Sequence, residues 1–227
     1  MKNSKEYSKK IQKLLRSLKR KYPKQEKAAY DEPVEALVHA IISEKITHKQ
    51  AQTAAKKFNE YFVDLNDLRV SRPEEIIEML GEDNPTTREI ALRLKTALIA
   101  IFEKYNTVSL QDLKKIGKRP AKEALSQISG TSPFMVDFCM LTALDGHAIP
   151  LTEKMIELLR NEQLVHPQAD KQQIEGFLSR QITAKNGYYF YTLLRQESES
   201  DKKKEKRKKR TKKRTKKRKK KKTTKRK

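Results

Sequence analysis

Residues 120–160, PAKEALSQISGTSPFMVDFCMLTALDGHAIPLTEKMIELLR, constrain the fold more than any other part of the chain. Their pattern predicts a short helix over 121–127, a tight turn over 128–132 and an apolar helix over 133–144, which begins with a proline that needs no amide partner there. Thr152 stands at the N-cap position of a third helix. A glycine-containing turn followed by a helix with free amides forms an anion pocket, so this stretch predicts a helix-hairpin-helix that binds a nucleic-acid phosphate.

The charge of the chain is concentrated at its C-terminal end. The 227 residues include 53 Lys or Arg and 29 Asp or Glu, a formal net charge of +24. Residues 201–227 hold 21 of the basic residues and two of the acids, so the first 200 residues carry 32 basic and 27 acidic residues. Without this basic tail the apolar content approaches that of ordinary globular domains, and a body of this length can bury a substantial core.

The tail has a composition that cannot form a packed core. Residues 202–227 contain only Lys, Arg, Thr and one Glu. Such a segment repels itself and has no apolar area to bury, so we expect it to be disordered when free. Its dense positive charge predicts binding to a polyanion. DNA is the expected partner and RNA stays open, because a lysine-rich segment does not distinguish the two.

Several classes of protein are disfavoured by what the chain lacks. Cys139 is the single cysteine, which excludes an internal disulfide and argues against a cysteine-ligated metal or an iron–sulfur cluster. It lies in the apolar helix, where we expect a small buried hydrophobe. The four histidines show no metal-ligand spacing, so neither a metal nor another cofactor is expected.

The sequence also bears on location. No apolar run approaches the length of a membrane span, and the N-terminal residues lack the apolar region of a signal peptide. We therefore expect a cytoplasmic, nucleoid-associated protein, or a nuclear one in a eukaryote, without a membrane partner. The sequence identifies no protein partner.

The remaining segments of the first 200 residues have helical apolar patterns, so the fold class is predicted to be all-α. The first helix, over 5–22, is amphipathic and basic. Its apolar side chains dock it and its basic face is interpreted as solvated, with phosphate contacts along that face as the alternative. A break is predicted at 43–47, and the aromatic run 187–191 is assigned to a late helix. The other helices are predicted to begin at Asp31-Glu32-Pro33 and to span 48–61, 73–80 and 87–105.

Three segments together resemble the endonuclease III-like DNA glycosylases of the helix-hairpin-helix superfamily. They are PVEALVHAIISEKIT, ISGTSPFMVDF and AIPLTEKMIELL, and the resemblance covers roughly Asp31 to Leu164. It implies two helical lobes with DNA in the cleft between them. One lobe is a six-helix barrel with the helix-hairpin-helix, residues 28–145. The other combines residues 1–27 and 146–198, and residues 199–227 form the disordered tail.

The resemblance fails at the two positions that carry the family's chemistry. Phe134 stands where bifunctional members have a lysine that attacks the sugar, and phenylalanine has no nitrogen to serve as nucleophile. Thr152 stands where the family has a catalytic aspartate. A threonine can cap the helix but cannot supply negative charge. Three other acids are weighed as substitutes for it: Glu153, Asp137 and Asp145.

The resemblance also indicates candidate contacts to nucleic acid. Lys45 aligns with a glutamine that fills the gap left by a flipped base in some members, and a lysine there favours phosphate contact. Ser132 replaces the second hairpin glycine. The full set of predicted nucleic-acid-binding residues is Gly130, Thr131, Ser132, Lys118, Arg119, Lys122 and Lys45.

The function expected from these features is DNA binding by a glycosylase fold with impaired or absent catalysis, anchored without sequence preference by the tail. The first alternative is an active monofunctional base-excision glycosylase that uses a displaced acid and has little lyase activity. The second is an interaction module bound to RNA or the ribosome.

Overall fold

The computed structural model describes residues 4–23 and 26–200. All regular structure in this part is helical, which confirms the predicted all-α class. Residues 201–227, most of the segment predicted to be a disordered tail, lie outside the described residues. The helices are α1 (Ser4–Lys21), α2 (Pro33–Lys45), α3 (His48–Tyr61), α4 (Leu65–Val70), α5 (Pro73–Leu80), α6 (Pro85–Tyr105), a 3-10 turn (Gln111–Lys114), α7 (Lys118–Ser126), α8 (Pro133–Thr142), α9 (Glu153–Asn161), α10 (Lys171–Gln181) and α11 (Ala184–Glu199).

Helix α2 forms the centre of the core and packs against α3, α6 and most extensively α8. It is buried on nearly all sides because its sequence is apolar with small alanines at 36 and 40. Its N-terminus is fixed by the carboxylate of Glu32. This group accepts hydrogen bonds from the amide of Val34 at 3.3 Å and from the amide of Leu110 at 2.9 Å, so it joins the start of α2 to the loop after α6.

Two helices have the predicted bounds because their end signals are strong. Helix α3 begins after Thr47, whose hydroxyl accepts from the amide of Gln50 while the Gln50 side chain accepts from the Thr47 amide. Helix α5 begins with Pro73 and ends at Gly81, which has a φ of +113°. Helix α11 contains the aromatic run and extends to Glu199, one residue into the segment predicted to be the tail.

The break predicted at residues 43–47 is present but is limited to residues 46 and 47. Helix α2 continues through Lys45, and only two residues separate it from α3. Ser43 stays helical because its hydroxyl donates to the carbonyl oxygen of Ala40 at 3.4 Å, which satisfies the buried side chain within the helix. Helices α4 and α10 were not predicted individually, because each is short or has an irregular apolar pattern.

Helix α1 packs on α10 and α11. Its apolar face is buried through Ile11, Leu15 and Leu18, and Gln12 donates to the carbonyl oxygen of Gln181 at 2.8 Å. This is the packing that the resemblance implies for the N-terminal helix. The division into lobes at residues 27 and 145 stays a prediction.

Three simple properties bear on the classes of protein considered above. Cys139 is fully buried, as predicted, and burial raises the pKa of its thiol. None of the described helices combines the length and apolar character that crossing a bilayer requires. Within residues 4–23 and 26–200, no three His, Cys, Asp or Glu side chains converge as metal ligands would. The expectation that the protein needs no cofactor stays a prediction.

Candidate nucleic-acid interface

The predicted hairpin is formed by α7, residues 127–132 and α8. Gly130 has a φ of +84°, a conformation that side-chain-bearing residues rarely adopt. The turn also packs closely on α6, since a Cβ atom at Gly130 would lie 3.2 Å from the carbonyl oxygen of Arg93. The amide of Thr131 donates to the carbonyl oxygen of Ile128 at 3.2 Å and its hydroxyl donates to the same oxygen at 2.8 Å. Glycine is therefore required here both by backbone conformation and by packing.

The hairpin leaves several backbone amides free. Within the described part of the chain, the amides of Gly130, Ser132 and Phe134 have no hydrogen-bond acceptor. Ser132 caps α8 with its hydroxyl, which accepts from the Met135 amide at 3.3 Å. Free amides at a turn and at a helix N-terminus together suit an anion such as a phosphate.

Ser132 also ties the hairpin to the end of α2. Its hydroxyl donates to Glu44 at 2.9 Å, and Glu44 in turn accepts from Arg93 of α6 at 3.1 Å. Arg93 and Lys45 both bind Glu89, at 2.9 and 3.1 Å. The replacement of a hairpin glycine by Ser132 thus adds a side-chain contact that a glycine would lack. Sequence reasoning did not find Glu44 because its partners are 49 and 88 residues away.

Phe134 is a packing residue. Its side chain is fully buried, and its ring centroid lies 6.2 Å from that of Phe138 and 6.5 Å from that of Tyr191 on α11. Phe138 also stacks on His39 of α2 at 5.5 Å. Burial lowers the pKa of His39 to about 4, so this imidazole is neutral near pH 7. The aromatic cluster joins α2, α8 and α11, and Phe134 contributes only apolar surface to it.

Thr152 lies at the N-cap position of α9, but its side chain accepts no hydrogen bond from the helix amides. The predicted capping by this hydroxyl is therefore wrong, although the backbone geometry is that of an N-cap. The residue borders a cavity of about 230 Å³ between the end of α2 and the start of α9, which we name the α2–α9 cavity. Its lining residues are Glu44, Lys45, Ile46, Leu151, Thr152, Glu153, Lys154, Lys171, Arg195 and Glu199.

The three acids considered as substitutes occupy different places. Glu153 lines the α2–α9 cavity beside Thr152. Asp137 is buried in α8 and accepts from Lys122 of α7 at 2.7 Å. Asp145 is exposed, pairs with Lys27 at 3.1 Å and borders a different cavity. Of the three acids, Glu153 is the one that lines the described cavity bordered by Thr152.

Arg195 of α11 closes one side of the α2–α9 cavity and was not found from the sequence. Its side chain is only 2% exposed. It donates to the carbonyl oxygens of Ser43 and Ile46, the latter at 2.9 Å, to the Tyr191 hydroxyl at 2.7 Å and to Glu199 at 2.8 Å. Glu199 also accepts from the His48 amide at 2.9 Å. One arginine and one glutamate of α11 thus bind the end of α2 and the start of α3.

The predicted basic contacts are spread over α7. Lys118 and Arg119 are exposed at the N-terminal end of this helix, about 12 Å along its axis from the turn at the rise of a helix. Arg119 pairs with Glu123 at 3.3 Å, and Lys122 is held by Asp137. Lys45 lines the α2–α9 cavity but pairs with Glu89. Their roles in binding stay predictions.

Comparison with solved structures establishes the fold. A covalent intermediate of endonuclease III trapped on DNA matches 82% of this chain and 84% of its own, with a TM-score of 0.65 and 14% identity. A Clostridium acetobutylicum 8-oxoguanine glycosylase/lyase in complex with DNA matches 86% of this chain and 69% of its own, with a TM-score of 0.63 and 16% identity.

A third similar structure is the H. pylori 3-methyladenine DNA glycosylase bound to 1,N6-ethenoadenine. It matches 84% of this chain and 94% of its own, with a TM-score of 0.59 and 14% identity. The chain has the helix-hairpin-helix DNA glycosylase fold. This agreement confirms the resemblance read from the sequence.

Other comparisons add nothing to this fold assignment. No protein-family model matches the sequence, and no curated protein matches it. At identities of 14 to 16% the similarity shows the fold alone. The roles of individual residues therefore have to be inferred from the geometry of this chain.

Proposed function

We propose that this protein holds DNA with a glycosylase fold that does not excise bases efficiently. The observation that carries the proposal is the neutral side chain of Thr152 at the position of the family's aspartate, and the burial of Phe134 removes the lyase step in addition. The position that aligns with the family's lysine is occupied by a fully buried ring packed against Phe138 and Tyr191. A nucleophile has to reach the sugar, and this side chain has neither the chemistry nor the exposure to do so.

The position that aligns with the family's aspartate bears on base release itself. Thr152 brings a neutral hydroxyl to the α2–α9 cavity, where a carboxylate would stabilise the positive charge that develops as the base leaves. Four cations line this cavity, Lys45, Lys154, Lys171 and Arg195, together with three carboxylates, Glu44, Glu153 and Glu199. Two of these carboxylates, Glu44 and Glu199, are bound to arginines, which leaves Glu153 as the acid nearest in sequence to Thr152.

DNA binding is supported by the hairpin and by the solved structures of similar fold. The free amides of Gly130 and Ser132, both partly exposed, would offer hydrogen-bond donors to one phosphate. Two of the similar structures are complexes with DNA. The basic tail, with 21 Lys or Arg in residues 201–227, would supply most of the affinity without sequence preference.

Salt dependence tests this division of roles. If about ten tail cations contact phosphates, log Kobs for duplex DNA falls by roughly nine units per tenfold rise in salt. A chain that ends at Ser200 keeps every described helix and is expected to lose most of this slope. Binding is measured by fluorescence anisotropy from 50 to 300 mM salt, with RNA of matched length as the second ligand. Equal affinity and slope for the two chains would contradict the proposal.

A second function is favoured by one specific observation, the position of Glu153. Glu153 lines the same cavity as Thr152, so an active monofunctional glycosylase could use this displaced carboxylate to activate water. Replacement of Glu153 by Gln keeps the size of the side chain and removes the charge. Base release by the parent that disappears in Glu153→Gln would establish this function in place of the first.

A further inference from the structure

Helix α1 carries a row of four exposed cations. Lys9, Lys13, Arg16 and Arg20 are separated by four, three and four residues, and all are exposed. At about 100° per residue they fall within an arc of about 60°. We name these four residues the α1 row. Its length along the helix axis is about 17 Å at the rise of an α-helix.

The opposite face of α1 fixes the row in place. Ile11, Leu15 and Leu18 point about 180° away from it and are buried in the core against α10 and α11. The helix is therefore not free to roll, and the row faces solvent. Because the apolar face is already buried, α1 cannot insert that face into a bilayer as interfacial helices do.

The four cations of the row have no acidic partner within the described structure, and Arg16 donates to the carbonyl oxygen of Gln12 at 3.4 Å. The ion pairs of α1 among the described residues are Lys10 with Glu6 at 2.7 Å and Lys21 with Glu197 at 2.6 Å. None of the four cations of the row has an acidic group within ion-pair distance in that part of the chain. The row thus keeps four positive charges for an external anion.

The C-terminal end of the row lies close to the last turn of α11. Lys21 and Tyr22, which follow Arg20, both donate to Glu197 in the last turn of α11, at 2.6 and 2.7 Å. Helix α11 ends at Glu199, which borders the α2–α9 cavity. The C-terminal end of the row therefore lies near the last turn of α11, which precedes the basic tail in the sequence.

We propose that the α1 row is a second binding surface for the phosphate backbone of duplex DNA, separate from the hairpin. A DNA strand presents one phosphate per 3.4 Å of axis, so about five phosphates fall within the length of the row. Regular spacing, exposure and the lack of acidic partners suit contacts that position a duplex without reading its sequence. The inference rests on the proposed function, because it extends DNA binding beyond the hairpin and the tail.

The test removes the four charges in the full chain. The row variant is Lys9→Gln, Lys13→Gln, Arg16→Gln and Arg20→Gln together. The control variant removes four exposed charges from α3, α6 and the loop before α7: Lys56→Gln, Lys57→Gln, Lys104→Gln and Lys115→Gln. The slope of log Kobs against log salt is measured on a 30-base-pair duplex. Thermal unfolding checks that both variants remain folded.

The row variant is expected to lose about three to four units of slope, and the control about one unit or less. If the row variant unfolds, Lys13→Gln with Arg16→Gln replaces it, with an expected loss of about two units. Equal losses in the row and control variants would overturn the inference and leave the proposed function intact. An absence of salt-dependent duplex binding by the parent would overturn both.

One further arm separates DNA from lipid. Vesicles containing phosphatidylserine are added to the parent and to the row variant. The inference predicts that the row variant changes binding to duplex DNA more than it changes binding to vesicles. Vesicle binding lost in the row variant, with its DNA slope unchanged from that of the parent, would assign the row to a membrane surface instead.

Discussion

Arg195 of α11 donates a hydrogen bond to the carbonyl oxygen of Ile46 at the end of α2, 2.9 Å away and 149 residues earlier in the chain. The same guanidinium binds the carbonyl oxygen of Ser43, the Tyr191 hydroxyl and Glu199. The last helix is thereby attached to the centre of the core at the border of the α2–α9 cavity. The contact explains how the end of α2 is satisfied without a glycine cap.

Replacement of Arg195 by Met is expected to destabilise the protein by about 3 kcal/mol. The change keeps an apolar stem but leaves Glu199 and two helix-terminal carbonyls without their charged partner in a buried setting. Urea unfolding followed by circular dichroism measures the effect. Arg119→Met is the control, since Arg119 is exposed and is expected to change stability by less than about 0.5 kcal/mol. Equal stability losses would show that Arg195 contributes no more than a surface arginine.

Replacement of Gly130 by Ala is expected to cost about 2 kcal/mol. An alanine there has to adopt a φ of +84°, and its Cβ atom would lie 3.2 Å from the Arg93 carbonyl oxygen. Gly176→Ala in α10 is the matched control. Its new Cβ would meet no atom closer than 3.8 Å, so alanine should stabilise that helix by about 0.5 kcal/mol. Effects of the same sign at both sites would count against this account of the hairpin.

Glu175 of α10 is expected to make stability depend on pH. Burial, reinforced by Asp137, raises its pKa from 4.5 to about 7. The folded protein then holds a proton that the unfolded chain releases between pH 4.5 and 7, so this group lowers stability as pH rises through that window. Glu175→Gln should stabilise the protein by about 1 kcal/mol at pH 8, after discounting for partial exposure, and have little effect at pH 4.5.

Urea unfolding of the parent and of Glu175→Gln at the two pH values measures that difference. The Asp170→Asn variant, which changes an exposed acid at the start of the same helix, is the comparison. A stabilisation by Glu175→Gln that is the same at both pH values would contradict the assigned protonation.

Replacement of Phe134 by Lys is expected to destabilise the protein by more than about 3 kcal/mol. The amine would enter a buried aromatic cluster that has no acidic partner for it. Burying an unpaired charge in this way lowers the free energy of unfolding. Phe134→Leu preserves an apolar core and should cost about 1 kcal/mol. Thermal unfolding compares the two variants. A lysine tolerated as well as leucine would mean that this position is open to solvent and that the packing argument is wrong.

Local signals explain what the sequence predicts correctly. The capping pair of Thr47 and Gln50 and the terminal Gly81 define helix ends within a few residues of the chain, and α3 and α5 have the predicted bounds. The hairpin follows from Gly130, which allows the turn, and from Pro133, which begins α8. The spacing of three such segments was enough to indicate the glycosylase fold.

Contacts between distant residues explain what the sequence could not predict. The break was predicted to begin at Ser43, but Ser43 is helical and its carbonyl oxygen accepts a hydrogen bond from Arg195 of α11, 152 residues later in the chain. The Glu44 contact with Ser132 spans 88 residues and has no local pattern. The capping role given to Thr152 was wrong because residue type fixes the N-cap position but not the rotamer of the hydroxyl.

The most direct test of the central claim is a base-release assay on duplexes with damaged or mismatched bases, followed by alkali treatment to cleave abasic sites. The same preparation is titrated with each duplex to measure binding, and the Glu153→Gln variant is assayed beside the parent. The account predicts salt-sensitive binding to the duplexes and no strand cleavage above the level without protein. Cleavage by the parent that is lost in Glu153→Gln would contradict it and identify an active glycosylase with a displaced acid.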